Sequence, residues 1–310
     1  MTRIKRHSRK NFDLFASYTW FTPGWNGIAC LTLWFLVGAL LGNIVSVPLL
    51  LLFEGAEDAS LYAELVAYPV MFIPPMIYAV SKSRANSFFS TGYKMSNRHY
   101  KPLGAVFCAV AVVLATLALG FVSDIFTCIL PPMPEWLEEM MESLTGSNIW
   151  INLLSVSVFA PFFEEWLCRG MVLRGLLNFE HKDKATGEVK HGIKPVWAIV
   201  ASAAFFAIIH LNPWQAIPAF LLGCLFGYVY YKTGSIRLTM LMHCTNNTFA
   251  VILANIDSLK DIDGWMDLLP TFPYVAVFVF CTALVLYVVS KFGQIEPLTP
   301  QGSCEATLAE

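Results

Sequence analysis

Eight long apolar runs, set apart by short polar segments of alternating charge sign, dominate this chain. They cover about residues 25–53, 61–80, 103–122, 149–177, 195–211, 214–231, 236–255 and 273–290. A helix rises ~1.5 Å per residue, so roughly 20 apolar residues cross the ~30 Å hydrocarbon core of a bilayer. Each run therefore predicts a spanning helix. Basic residues collect before run 1, between runs 2 and 3, 4 and 5, and 6 and 7, and after run 8. Residues 81–102 carry Lys82, Arg84, Lys94, Arg98 and Lys101 with no acid. The alternate gaps are acidic: residues 123–148 carry Asp124, Glu135, Glu138, Glu139 and Glu142 with no Lys or Arg. Lys and Arg favour the cytoplasmic side, so this alternation places both termini there.

Composition points the same way. Of 310 residues, 56% are hydrophobic and 14% charged, and the mean hydropathy is +0.59. A soluble domain carries about 25% charged residues. The fold class expected is an all-α integral membrane protein, a polytopic bundle of about eight transmembrane helices. The bilayer is the expected environment, and a nucleic-acid partner is not expected. The eight cysteines form no C-x-x-C pair and lie mostly in apolar runs. They read as small core residues rather than a disulfide framework or metal site.

The organisation expected follows the runs. Residues 1–24 form a basic cytoplasmic N-terminus with interfacial aromatics (Tyr18, Trp20, Phe21), without a cleavable signal. Residues 25–147 hold the N-terminal transmembrane helices and loops. Gly38-x-x-x-Gly42 in run 1 offers a close-packing face, and Pro69, Pro74 and Pro75 predict kinks in run 2. Trp136–Leu144 predicts a short amphipathic helix on the membrane surface. Residues 148–255 form a core segment of helices that carries the intramembrane charges, 256–290 the last loop and final helix, and 291–310 a disordered cytoplasmic tail.

The candidate chemistry sits inside three runs. Run 4 contains Phe162-Phe163-Glu164-Glu165-Trp166-Leu167-Cys168-Arg169-Gly170. Each charge near the middle of a span costs ~2.5–3.5 kcal/mol on insertion scales, so three in six residues need a local reason. Glu165 and Arg169 are four apart and share a helix face, so they pair. Glu164 points about 100° away and is left for another task. A purely structural ion cluster is the bland alternative. Run 5 ends in Phe206-x-x-x-His210, and run 7 presents His243 and Asn247 on one face. Counted from the nearest basic end, His243 and Asn247 lie about 10–18 Å deep and His210 about 23 Å. The uncharged link Asn212-Pro213 would bring His210 level if it sat within the bundle.

Facing one another, these groups make a hydrolytic site. A carboxylate with an imidazole polarises water as a general base. A second imidazole with an amide supplies oxyanion donors, each worth ~10²–10³ in rate when well placed. Glu164, His210 and His243 also make a His₂Glu zinc set, and residue types alone do not separate the two mechanisms. No H-E-x-x-H, G-x-S-x-G or intramembrane aspartate pair is present.

Taken together, Glu164-Glu165-x-x-x-Arg169, Phe206-x-x-x-His210 and His243-x-x-x-Asn247 resemble, in order, the three motifs of a membrane protease family. This is the type II CAAX prenyl endopeptidase and bacteriocin-processing family, often called CPBP or Abi. The resemblance covers about residues 148–255. It implies an intramembrane endopeptidase of a prokaryotic plasma membrane, opening toward the cytoplasm and acting on a peptide or protein substrate, prenylated or not, in CAAX-type or leader-peptide processing. It implies water activation by Glu164 and His210, oxyanion stabilisation by His243 and Asn247, and support from Glu165, Arg169 and Phe206. The cofactor-free mechanism is the expected one, with zinc as the alternative. Two other functions fit a buried Glu and His: a proton-coupled transporter and a non-catalytic membrane scaffold. The lack of an internal repeat weighs against the first, and the complete motif set against the second.

Overall fold

The computed structural model describes residues 14–15, 18–56, 58–86, 94–127, 130–139, 148–182, 186–187, 189–191, 193–259 and 264–297. The described chain is helical except for one small hairpin. The helices follow the apolar runs: α1 Trp25–Leu52, α2 Ala59–Asn86 and α3 Ala105–Thr127, α4 Ile149–Leu177, α5 Pro195–Ile208, α6 Pro213–Thr233, α7 Ile236–Ala254 and α8 Thr271–Gly293. Five of them (α1, α2, α3, α4 and α8) are long and apolar enough to cross a membrane. The chain is a multi-pass integral membrane protein. Within the lysine-rich segment after α4, β1 (Glu180–Lys182) pairs antiparallel with β2 (Val189–His191), which is more order than a plain loop. Residues 135–139 are helical. The rest of the expected surface helix, residues 1–13 and tail residues 298–310 lie outside the described residues.

At 14 residues, α5 is about 21 Å long, short of a ~30 Å hydrocarbon core. It ends in a turn where Leu211 takes φ 57°, a left-handed conformation costing a non-glycine residue about 1–3 kcal/mol. Asn212 then caps α6, its side chain accepting from the Gln215 amide at 2.8 Å. The chain thus turns back immediately after His210.

Helix α4 is the centre of the bundle, packed against α2, α5 and α7. One core cluster joins Trp166, Leu167, Met171 and Leu173 of α4 to Leu31, Phe35, Phe72, Ile199 and Tyr230. A second joins α3, α6, α7 and α8 through Val112, Leu222, Phe226, Met242 and Val288. The expected Gly38 contact is real: a Cβ there would lie 1.8 Å from the Met71 carbonyl oxygen of α2. Pro75, four residues beyond Met71, has no N–H to give that oxygen, so bare glycine backbone packs onto an acceptor its own helix leaves open. Despite its three prolines, α2 runs unbroken.

The polar segments sort to two ends. At one end the Asn97 amide donates to Gly234 O at 2.7 Å, His99 to Thr233 O at 3.3 Å and Ser96 to Phe15 O at 3.3 Å. These bonds tie the N-terminal segment, the segment before α3 and the α6–α7 turn together. At the other end the Trp265 amide donates to Asp124 Oδ2 at 3.1 Å, and Trp214 Nε1 to Pro131 O at 3.0 Å.

Candidate active site

Helix α4 carries the acidic motif and is not a uniform α-helix. Regular turns at Ile149–Asn152, Ala160–Glu165 and Arg174–Leu177 alternate with wider π-helical stretches at Leu153–Phe159 and Trp166–Leu173. Both stretches have local causes. Pro161 lacks an N–H and its ring clashes with the carbonyl four residues back, Ser157, so the turn before it widens. Side chains from neighbouring helices also take backbone acceptors in both stretches. Asn247 Nδ2 of α7 donates to Val156 O at 2.7 Å, and Ser202 Oγ of α5 donates to Cys168 O at 2.9 Å. Such π-helical insertions occur often at functional sites. Here they bracket the one regular turn that bears Glu164 and Glu165.

Glu165 and Arg169 are both fully buried and form an i,i+4 pair, Nη1 to Oε1 at 2.8 Å. Arg169 Nη2 also donates to Gly223 O at 3.2 Å. Its guanidinium lies over the Phe206 ring at 4.6 Å and the Phe226 ring at 5.2 Å. A Cβ on Gly223 would meet Ala203 Cβ at 3.1 Å, so only glycine lets α5 and α6 close tightly enough to form this slot. The desolvated charge is met by a carboxylate at Nη1, a carbonyl at Nη2 and two ring faces, while Nε has no hydrogen-bond partner.

His243 bridges the two carboxylates. Its Nδ1 lies 3.1 Å from Glu165 Oε1, and its Nε2 lies 3.8 Å from Glu164 Oε2. The first is a hydrogen bond in which the imidazole N–H donates. The second is too long for one. Glu164 Oε2 is buried and without a hydrogen-bond partner. Its other oxygen, Oε1, accepts from the Tyr68 hydroxyl of α2.

His210 stands at the C-terminal end of α5 with Nδ1 2.8 Å from Phe206 O. Since a carbonyl only accepts, Nδ1 carries the proton there and Nε2 is left as a base. The Phe206 ring is edge-on to both imidazoles, 5.0 Å from His210 and 5.4 Å from His243. Asn247 lies one turn along α7 from His243, with Oδ1 accepting from Asn246 Nδ2 at 3.2 Å. One amide hydrogen goes to Val156 O, leaving the second for another acceptor.

The structure therefore brings Glu164, Glu165, Arg169, Phe206 and His243 into one contact group. His210 joins it through Phe206, and Asn247 through the wall of α4. No hydrogen bond joins His210 or Asn247 to Glu164 among the described residues. Nor, among those residues, do three His, Cys, Asp or Glu side chains approach closely enough to hold a metal ion. The set Glu164, His210 and His243 does not close around zinc in this arrangement.

Tyr68, Ser202, Phe226 and the Gly223 carbonyl escape the motif pattern. The last three act through packing and backbone, which residue type does not announce. Tyr68 does carry a signal: Glu64 and Tyr68 are a polar i,i+4 pair inside run 2.

No curated protein and no solved structure matches the chain. Residues 146–249, which hold both glutamates, Arg169, Phe206, both imidazoles and Asn247 but not Tyr68, match the model of the family described as type II CAAX prenyl endopeptidase Rce1-like, so this part of the chain is similar to that family's domain.

Proposed function

We propose that the chain cleaves a peptide bond in a membrane-associated CAAX-type substrate, using a water activated by Glu164 and without a covalent enzyme intermediate. The observation that carries this reading is the free Glu164 Oε2, buried and facing His243 Nε2 across 3.8 Å. A water admitted beside that oxygen donates to the carboxylate and is held for attack. His210, with its proton fixed on the Phe206 side, offers Nε2 as a second acceptor for the water's proton. His243, held by Glu165, turns Nε2 toward the developing oxyanion and donates when protonated. Asn247 supplies its second amide hydrogen to the same oxygen. The proton taken by the Glu164–His210 side then passes to the leaving amine. Glu165 and Arg169 keep the cage rigid.

The test is cleavage of a prenylated CAAX peptide by the full chain reconstituted in lipid. Wild-type protein cleaves it, and Glu164→Gln, which keeps size and a polar terminus, folds but loses activity by at least ~10². Activity survives exhaustive chelation. Stoichiometric zinc whose removal abolishes turnover, with recovery on adding zinc back, would replace this mechanism by a metal-centred one. An active Glu164→Gln variant would remove Glu164 as the base.

A further inference from the structure

We infer that Tyr68 of α2, outside the matched domain, is a positioning residue that aims Glu164 at its water, so that the α1–α2 pair is part of the catalytic apparatus. The inference rests on the reading of Glu164 as the base.

A carboxylate with one oxygen tied and the other free is oriented; with neither tied it rotates about its last torsion. The Tyr68 hydroxyl ties Oε1, and Oε2 is the oxygen left toward His243. No other hydrogen bond to Glu164 Oε1 is described, so the hydroxyl supplies that constraint. The phenol is itself fixed. Its ring lies 5.5 Å from Phe72, and Phe72 stacks on Phe163 at 5.0 Å with the planes 17° apart. Phe163 immediately precedes Glu164, so α2 grips both the base and its neighbour. The grip reaches back to α1 through Gly38 against Met71 O. A placement this constrained suits a group whose task is geometry, since a small misplacement at a reacting centre is costly.

Tyr68 acts through Glu164 and not on the substrate. Its hydroxyl donates to the carboxylate, whereas an oxyanion donor would have to aim at the carbonyl instead. Removing the hydroxyl should therefore slow turnover without weakening substrate binding.

The experiment compares Tyr68→Phe with wild type and Glu164→Gln, all as full chains in lipid, with a prenylated peptide as probe. For Tyr68→Phe we expect kcat down by about tenfold to a hundredfold, the range set by losing one hydrogen bond to a charged group. KM and thermal midpoint should be unchanged. Wild-type kcat in Tyr68→Phe, beside an inactive Glu164→Gln, overturns the Tyr68 assignment and leaves the base in place. An active Glu164→Gln instead overturns the reading of Glu164, whatever Tyr68→Phe does. A fall in kcat that tracks loss of folded protein, or a rise in KM at unchanged kcat, makes the hydroxyl a structural or substrate contact and also overturns the inference.

Discussion

Adjacent glutamates in α4 have opposite fates, and the cause lies in what faces each. Glu165 is wholly buried between Arg169 and His243, with charge opposite charge. Glu164 has no arginine opposite it: its Oε1 accepts from the Tyr68 hydroxyl and its Oε2 faces His243 Nε2 across 3.8 Å. The two should therefore fail differently. Arg169→Ala strands the Glu165 carboxylate in a dry core and opens the slot between Phe206 and Phe226. Breaking one partner of a buried pair costs about 3–5 kcal/mol, a large share of a typical stability. That variant should yield little folded protein, whereas Glu164→Gln should melt as wild type does. Equal thermal midpoints for Arg169→Ala and wild type would contradict the ion-pair account. Much of this was legible in the sequence: an acid and a base four apart in an apolar run have nowhere else to pair. His243 against both glutamates was not, because a helical pattern gives the face a residue occupies but not the face it meets. Nor did spacing tell that a phenylalanine ring would stand between the two imidazoles.

At the level of the element, the runs located the helices well because apolar length is the dominant signal in a membrane chain. Their interior shape escaped. The π-helical stretches of α4 depend on Pro161 together with acceptors claimed by Ser202 and Asn247 from other helices, and such tertiary causes leave no periodicity behind. The α5–α6 link shows the opposite case, where mere shortness and lack of charge at Asn212-Pro213 indicate that the chain turns before completing a crossing. Helix pairing is testable at Gly38. In an open helix, alanine in place of glycine gains about 1 kcal/mol from propensity. Here the added Cβ would lie 1.8 Å from Met71 O, so backbone must move, and overpacking costs about 1–3 kcal/mol or more. The clash outweighs the propensity. Gly38→Ala should lower the thermal midpoint and, by shifting α2 and Tyr68, lower kcat as well. A more stable, fully active variant would mean that α1 and α2 do not need this contact.

For the whole molecule, the charge alternation acquires a physical basis in how the ends are tied. The N-terminal segment, the basic segment before α3 and the α6–α7 turn are hydrogen-bonded to one another. Arg174, buried at the base of α4, donates to the carbonyls of Trp20 and Phe21 in the same assembly. At the opposite end Asp124 meets the Trp265 amide. With this basic assembly at one end and the acidic Asp124 contact at the other, the orientation expected in a bilayer sets the basic end toward the cytoplasm. The active-site elements then follow: α5 starts at the basic end and stops short, setting His210 below the acidic surface. The prediction is direct. In intact cells, with the other cysteines removed, a membrane-impermeant thiol reagent should label Glu138→Cys from outside. It should reach Lys101→Cys and the native Cys304 only after permeabilisation. Labelling of Lys101→Cys in intact cells would invert the protein. That result would also put the basic hydrogen-bonded assembly on the outer face, where the charge distribution would not account for it.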